Sequence, residues 1–243
     1  MRSKRLPGKV MRRILGRSML ELMIERLRRV SLIDEIVVAT TSDPSCQPIA
    51  DLASQVGVSC YRGSENDVLD RVLQAARSVR ADVIVETTGD CPVIDPEVVD
   101  RVIKVYQSGR VDYCSNILER TYPRGMDTQV FSVAVLEEVS RLTDDPVDHE
   151  HVSLYIYNHP EIFRLLNVRS NLPPAAAELR LTVDTFEDFE LITQIYERLH
   201  SVKPAFGLSD ILTLFGSEPQ LPLINRNVQQ QSICNALVKV NAA

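Results

Sequence analysis

Several common signatures are absent from this 243-residue chain, and each absence excludes a class of protein. The five cysteines include no Cys-x-x-Cys pair, which argues against a zinc site or a disulfide framework. No apolar run reaches the ~20 residues that a membrane-spanning helix needs, and the basic N-terminus is not followed by the apolar stretch of a signal peptide. The sequence therefore predicts a cytoplasmic protein with reduced thiols and no membrane partner.

Familiar catalytic motifs are missing as well. The chain has neither a Walker A loop nor a dinucleotide-binding glycine fingerprint. It lacks the Gly-x-Ser-x-Gly turn of serine hydrolases. It also contains no Asp-x-Asp, which counts against a typical metal-dependent sugar transferase. A function must therefore be sought in less common motifs.

The net charge of −6 conceals an asymmetry along the chain. Residues 1–30 contain ten Lys and Arg against Glu21 and Glu25, so this segment is strongly basic and the remainder strongly acidic. A basic segment on an acidic protein favours a small anionic ligand over a nucleic acid, which would need a basic face across the domain. The alternative is a solvent-exposed arginine-rich helix face, which accounts better for the arginines near residue 28 than for those of the first nine residues.

Apolar runs alternate with amphipathic helical patterns through the first half of the chain. This alternation predicts an α/β fold with a parallel sheet covered by helices on both faces. In the second half we expect helices at Val133–Leu142 and 151–158 and a strand at 179–183. No linker suggests two domains, so we expect one domain over residues 1–228 and a loosely held tail over 229–243.

The run Thr-Gly-Asp-Cys-Pro-Val-Ile-Asp-Pro at 88–96 directly follows the apolar segment 83–85. A strand that ends in a glycine turn presenting a carboxylate can place a metal-binding aspartate, here Asp90, at the active edge of a sheet. The alternative is that Gly, Asp and Pro only make the turn between a strand and a helix.

A second aspartate, Asp184, follows the predicted strand 179–183. Two carboxylates at the carboxyl ends of strands in one sheet could share a Mg²⁺ ion, which prefers oxygen ligands and retains several waters. The competing interpretation is that Asp184 is a helix N-cap, because Glu187 lies three residues further on.

Two loops have the composition of ligand-binding segments. The sequence Ser3-Lys4-Arg5-Leu6-Pro7-Gly8-Lys9 combines cations with a turn, which suits a polyphosphate. The sequence 122–127 places Tyr122, Arg124 and Asp127 in one short loop, which suits recognition of a polar, anionic small molecule. Ordinary surface turn chemistry is the alternative for the second loop.

These motifs, in this order, resemble the spore coat polysaccharide biosynthesis protein F family. That family is a branch of the cytidylyltransferases related to the enzymes that activate Kdo and acylneuraminic acids as CMP-sugars. The resemblance extends over residues 1 to 228. It rests on the segments 3–9, 62–69, 88–96, 122–127, 180–184 and 223–228.

The resemblance implies a nucleotide-diphospho-sugar transferase fold, Rossmann-like and of GT-A type, with a mixed, mostly parallel sheet. It also implies CTP as a substrate, Mg²⁺ as a cofactor, and catalytic roles for Lys9, Asp90 and Asp184, with the two aspartates holding the metal. The implied nucleotide-binding residues are Ser3, Arg5, Lys9, Arg62, Ser64, Asp67 and Arg71. The implied sugar-binding residues are Tyr122, Arg124, Gly125 and Asp127.

The reaction expected from the resemblance is transfer of CMP from CTP to a sugar, with a sugar acid as the expected acceptor, for surface polysaccharide biosynthesis. The alternatives are a glycosyltransferase of the same fold that uses a nucleotide sugar, and a truncated, non-catalytic homologue. The expected partners are small molecules, and a homodimer is an open alternative to a monomer.

One departure from the family concerns the N-terminus. Relatives have an apolar first strand and a turn ending in Gln-Ala-Arg before the position of Met1. We therefore expect the present chain to lack one interior strand, and hypothesise either that translation starts further upstream or that this copy is truncated.

Overall fold

The computed structural model describes residue 3 and residues 5–230. Lys4 and residues 231–243 lie outside the described part, so the predicted tail is described only at Gln229 and Gln230. None of the helices within the described ranges has the length and apolar character needed to cross a bilayer.

Among the described residues, eight short strands form three hydrogen-bonded sets. The strands are β1 (Arg13–Ile14), β2 (Arg17–Ser18), β3 (Val37–Thr41), β4 (Ser59–Gly63), β5 (Val83–Glu86), β6 (Tyr113–Ser115), β7 (Gln129–Ser132) and β8 (Leu165–Asn167). β1 and β2 form an antiparallel hairpin, and β3 and β4 form a parallel pair. The remaining four strands follow the order β5-β7-β6-β8, in which β7 is antiparallel to both neighbours and β6 is parallel to β8. The strand pairing is therefore mixed, as the resemblance implies.

Within the described part of the chain, ten α-helices connect and cover these strands. They are α1 (Met19–Leu27), α2 (Gln47–Gln55), α3 (Val68–Ser78), α4 (Pro96–Ser108), α5 (Val133–Leu142), α6 (Pro146–His151), α7 (Leu154–Asn158), α8 (Pro174–Ala177), α9 (Phe186–Leu199) and α10 (Leu208–Ser217). Several begin at side-chain caps readable in the sequence: the Ser18 hydroxyl accepts from the N–H of Glu21 at the start of α1, and Asp95 accepts from the N–H of Glu97 at the start of α4.

The largest apolar cluster lies beneath the segments predicted to bind ligands. It contains one or more buried side chains from four of them: Leu6, Val93, Met126 and Val183 are at most 3% exposed. The segment 62–69 instead contributes Leu69 to a different cluster. Burying a side chain of this size stabilises the fold by about 1.5–3 kcal/mol. Four loops distant in sequence are thus anchored in the same core, with their polar neighbours at the surface above it.

The structure corrects two predicted elements. The helix expected at 151–158 is two short helices, α6 and α7, because Val152 has a φ of 53°, which an α-helix does not allow. The strand expected at 179–183 is reduced to a single bridge between Arg124 and Arg180. After Arg180, the segment forms a hydrogen bond to the loop that contains Asp90. It therefore does not pair continuously with any of the described strands.

Candidate functional site

The loop after β5 presents Asp90 at the end of the strand. Within the loop, the N–H of Cys91 donates to the Thr88 carbonyl at 3.3 Å and the N–H of Ile94 donates to the Cys91 carbonyl at 3.1 Å. Asp95 and Pro96 then start α4. These turns hold the loop while leaving the Asp90 carboxylate free to contact other segments.

Asp184 is held next to Asp90 by backbone contacts. The N–H of Val183 donates to the Asp90 carbonyl at 2.9 Å, and the Thr182 hydroxyl donates to the same oxygen at 3.1 Å. The main-chain carbonyl of Asp90 therefore positions the 182–184 segment. Because these bonds are made to the main chain, they do not depend on the carboxylate groups of Asp90 and Asp184.

The N-cap interpretation of Asp184 is wrong. The N-cap of α9 is Thr185, whose hydroxyl accepts from the N–H of Asp188, while the Asp188 carboxylate accepts from the N–H of Thr185. This reciprocal capping box leaves the Asp184 carboxylate free for other contacts.

Lys9 joins the two predicted metal ligands. Its ammonium nitrogen lies 2.7 Å from Oδ2 of Asp90 and 2.8 Å from Oδ1 of Asp184. Burial alone lowers the pKa of Lys9, but the contacts with the two carboxylates outweigh it and raise the pKa above its usual value. Lys9 is thus a fixed cation between two anions.

The loop of residues 3–9 positions this lysine. The N–H of Leu6 donates to the Ser3 hydroxyl at 3.3 Å, and the N–H of Lys9 donates to the Leu6 carbonyl at 3.2 Å. Gly8 has a φ of 66°, a left-handed conformation that glycine adopts without strain. Arg5, from the same loop, lies 3.1 Å from Oδ2 of Asp184.

Asp184 is the centre of a larger ionic cluster. Arg180 donates to its Oδ2 at 2.6 Å, and Lys9 and Arg5 approach the same carboxylate. Burial raises the pKa of Asp184, but these three cations together lower it below its usual value. Arg180 also pairs at 2.8 Å with the fully buried Asp188.

The two carboxylates fit a divalent cation in chemistry and in position. Both already share one cation, the Lys9 ammonium. Within the described residues there is no group of three or more His, Cys, Asp or Glu side chains that could hold a metal. Two carboxylates suit Mg²⁺, which commonly uses one or two of them together with waters and substrate phosphates.

The 122–127 turn is rigid and lies against the segment before Asp184. The N–H of Arg124 donates to the Leu179 carbonyl at 3.1 Å and the N–H of Leu181 donates to the Arg124 carbonyl at 2.8 Å. At Gly125, where φ is 98°, a Cβ atom would overlap the Leu181 carbonyl group. Only glycine therefore fits this position.

The predicted sugar-binding side chains of this turn have different surroundings. Tyr122 is 4% exposed and packs in the core cluster, so it anchors the turn. Asp127 accepts two hydrogen bonds from Arg120, at 2.7 and 3.0 Å. Arg124 is half-buried and makes no side-chain hydrogen bond or ion pair within the described residues. Direct contact of these residues with a sugar stays a prediction.

The predicted nucleotide residues beyond the 3–9 loop form a separate group. Arg62 donates to the carbonyls of Thr41, Ser42 and Asp43, at 3.0–3.2 Å. The Ser64 hydroxyl accepts from the N–H of Asp67 at 3.0 Å, and Arg71 donates to the Ser64 carbonyl. These contacts order the loop after β4 without joining it to Lys9, and the nucleotide-binding role of this group stays a prediction.

Sequence reasoning missed Arg180 as a site residue. Arg180 belongs to the segment 180–184, which carries the family resemblance. An arginine within a predicted apolar strand, however, has no neighbour in the sequence that indicates which residues it contacts. The available signal was the spacing, since acidic residues follow four and eight positions later at Asp184 and Asp188. Both contact it.

Comparisons with known proteins show the family of this chain. A family model described as Cytidylyltransferase matches residues 1–233. The chain is 33% identical over 224 residues to the spore coat polysaccharide biosynthesis protein SpsF of Bacillus subtilis, over 90% of this chain and 92% of the relative. A solved cytidylyltransferase structure from Leptospira borgpetersenii has a TM-score of 0.85 at 30% identity, over 95% of this chain and 94% of the other.

A more distant structure is a CMP:2-keto-3-deoxy-manno-octonic acid synthetase complexed with CTP. Its TM-score is 0.59 at 20% identity, over 81% of this chain and 94% of the other. The likeness of both structures confirms the predicted Rossmann-like α/β fold. The chain belongs to the cytidylyltransferase family and is a nucleotidyltransferase.

Proposed function

We propose that this enzyme transfers CMP from CTP to a sugar acid and releases pyrophosphate, as a cytoplasmic step in making a surface polysaccharide. The observation that supports it most directly is the Lys9 ammonium between Asp90 and Asp184, with Arg5 beside it. The names of two similar proteins support the finer assignment: one is a polysaccharide biosynthesis protein, and the other is a CMP-sugar acid synthetase complexed with CTP.

Asp90 and Asp184 are the residues that would hold Mg²⁺. When bound, the ion supplies Lewis acidity at the phosphate oxygens. The protein's own contribution is to hold the two carboxylates close together, with Lys9 bonded to both, and to keep Asp184 ionised, since Arg5, Lys9 and Arg180 lower the pKa of Asp184 against the effect of burial.

Lys9 and Arg5 are the residues that would bind the triphosphate. In the reaction, a sugar hydroxyl oxygen forms a bond to the α-phosphorus, the bond from that phosphorus to the bridging oxygen breaks, and the hydroxyl proton passes to solvent. Such a transfer depends on alignment of the reacting groups and on neutralising charge on the leaving pyrophosphate. Two cations fixed in one short loop suit that second task.

The remaining assignments belong to the same proposal. Ser3 and the group Arg62, Ser64, Asp67 and Arg71 line the nucleotide side. The turn that contains Tyr122, Arg124, Gly125 and Asp127 lines the acceptor side. What supports the second assignment is the bonding of this turn to the segment before Asp184, together with the guanidinium group of Arg124, which makes no hydrogen bond or ion pair within the described residues.

Pyrophosphate release from CTP, measured with Mg²⁺ and a panel of sugar acids, tests the proposal. We expect release with at least one acceptor, and a reduction of about a hundredfold or more in Asp90→Asn and in Asp184→Asn. Asp51→Asn, at an exposed position on α2, is the matched control and should retain full activity. Undiminished release in Asp90→Asn would remove the metal assignment, and no release with any acceptor would contradict the reaction.

A further inference from the structure

A cavity of about 420 Å³ lies between the 122–127 turn and the segment 222–230. Three arginines line it, Arg124, Arg180 and Arg226, together with the apolar side chains of Leu191 and Phe215. This volume is in the range of pockets that take small molecules. We call it the arginine cavity; its lining does not include Lys9, Asp90 or Asp184, and it shares only Arg180 with the ionic cluster described above.

The charges around the arginine cavity are not balanced. Arg180 is paired with Asp184 and Asp188. Arg124 and Arg226, in contrast, make no side-chain hydrogen bond or ion pair with any described residue, and Glu178, which is exposed, is the one carboxylate in the lining. Two arginines of the lining therefore have no ion pair within the described residues: Arg124, which is half-buried and lies near the charges of Asp127 and Glu178, and Arg226, which is exposed.

The main chain at Arg124 is held in place. It is bonded to Leu179 and Leu181, and the next residue, Gly125, packs directly against the Leu181 carbonyl. Burial, with the charges of Arg120 and Arg180 nearby, lowers the pKa of Arg124 although the carboxylates of Asp127 and Glu178 act in the opposite direction. Holding a cation in such surroundings is unfavourable in the free protein, and a bound anion would relieve it.

We propose that the arginine cavity binds the anionic group of the acceptor, a carboxylate or a phosphate, between Arg124 and Arg226. The proposal rests on the function proposed above and adds Arg226 to the acceptor-binding residues. Leu191 and Phe215 supply an apolar wall for the carbon skeleton.

The position of Arg180 connects the arginine cavity to the reaction centre. One of its guanidinium nitrogens donates to Gln230, which lines the cavity, at 2.5 Å, and another donates to Asp184 at 2.6 Å. A single guanidinium group therefore separates the cavity from a predicted metal ligand. A sugar whose anionic group enters the cavity would therefore lie next to the guanidinium group that contacts Asp184.

Equilibrium binding to the full chain, measured by isothermal titration calorimetry, tests the cavity without requiring turnover. The probes are 3-deoxy-manno-octulosonate, glucose 1-phosphate and uncharged glucose. We expect one of the two anions to bind measurably and glucose not to bind, and the anion that binds identifies the group as a carboxylate or a phosphate. Failure of both anions, or binding of glucose with the same affinity, would overturn the proposal.

Arginine variants then locate the site. Arg124→Gln and Arg226→Gln should each weaken anion binding about tenfold or more, because a charge-assisted pair is lost. Arg141→Gln, an exposed position on α5, removes the same charge elsewhere and should bind the anion as the wild type does. Wild-type affinity in both cavity variants would place the anion elsewhere and overturn the proposal.

Steady-state kinetics distinguish this proposal from the proposed reaction. In the cavity variants the KM for the acceptor should rise about tenfold or more, while the KM for CTP stays within about twofold of wild type. An unchanged acceptor KM would overturn the role of the cavity while leaving the reaction intact. Anion binding at the cavity without any pyrophosphate release would instead contradict the reaction and leave the cavity as an anion site.

Discussion

The N–H of Val183 donates to the carbonyl oxygen of Asp90 at 2.9 Å, and this backbone bond brings together two carboxylates that are far apart in the sequence. The adjacent Thr182 hydroxyl donates to the same oxygen. Because the bonds involve the main chain of Asp90, changes to its carboxylate should alter the chemistry of the site while leaving the fold in place. Stability should depend instead on the residues that position the 179–184 segment.

Gly125 is the first of these positions. We expect Gly125→Ala to lower the free energy of unfolding by about 2 kcal/mol or more, because the added Cβ overlaps the Leu181 carbonyl and φ is unfavourable for alanine. Urea denaturation measures the change. Gly216→Ala is the matched control, since no atom lies within 4 Å of a Cβ there and alanine favours the helix α10, so it should be neutral or slightly stabilising. Equal urea midpoints for the two variants would contradict the role of Gly125.

Asp188 is the second position. We expect Asp188→Asn to cost about 3 kcal/mol or more, because the fully buried carboxylate pairs with Arg180 and also accepts from the N–H groups of Asp184 and Thr185. The matched control is Asp210→Asn in α10. Asp210 likewise accepts from a backbone N–H at a helix start, that of Gly207, but its partner Lys203 is more than half exposed. That variant should cost under about 1 kcal/mol.

Chemical denaturation of the two aspartate variants under the same conditions provides the comparison. A loss in Asp188→Asn no larger than that in Asp210→Asn would show that the buried pair with Arg180 contributes little to stability. Retention of the Arg180 contacts by the asparagine amide would also reduce the loss, so Asp188→Ala is a useful second variant and should be the most destabilised of the three.

The sequence was most informative where a signal is local. The structure brings together Asp90 and Lys9, which the sequence singles out because a carboxylate after a strand and a cation in a Pro-Gly turn are recognisable from a few adjacent residues. Asp184 has two interpretations in the sequence, a metal ligand or an N-cap with Glu187 three positions later. In the structure the N-cap of α9 is Thr185 instead. It pairs with Asp188, whose carboxylate is itself held by Arg180 and Asn225.

Features that depend on contacts between distant segments could not be predicted. Arg180 is buried only because two later aspartates compensate its charge, and the predicted strand around it is interrupted by bonds to the Asp90 loop. Arg226 lies in a segment without periodicity, so nothing in the sequence relates it to Arg124. The arginine cavity exists only in the folded chain.

The contact of Lys9 with both carboxylates has a consequence for metal binding. A divalent ion between Asp90 and Asp184 must displace the ammonium group, so Lys9→Met should bind Mg²⁺ more tightly in the absence of nucleotide. A tenfold gain in affinity is worth about 1.4 kcal/mol, so saturating Mg²⁺ should raise the Tm of the variant by about 3–6 °C more than that of the wild type. Thermal unfolding with and without Mg²⁺ measures the difference.

The control for this experiment is Lys203→Met, which removes a lysine paired with Asp210 at a position away from the site. Its response to Mg²⁺ should match that of the wild type. Lys9→Met should also lose pyrophosphate release, by about a hundredfold, because it removes a cation from the triphosphate loop. An identical Mg²⁺ response in Lys9→Met and wild type would mean that Lys9 does not compete with the metal.

His149 should make the stability of the loop after β4 depend on pH. Its Nε2 lies 3.0 Å from the Thr143 carbonyl and its Nδ1 lies 2.9 Å from the Asp67 carboxylate, and only the protonated ring donates to both. The hydrogen bond to Thr143 and the charge of Asp67 raise the pKa of His149 above its usual value of 6.5. The protonated ring therefore stabilises the fold below about pH 6.5, and this contribution disappears as the pH rises through the higher folded-state pKa.

The free energies of unfolding of the wild type and of His149→Gln should accordingly converge between about pH 6 and pH 8. The change should be about 0.5 kcal/mol, since the Asp67 side chain is 36% exposed. Asp67→Asn is the matched variant: asparagine still caps α3 by accepting from the N–H of Asp70, but it removes the charge and should reduce the pH dependence. A constant difference between wild type and His149→Gln across this range would show that His149 does not titrate as part of the contact.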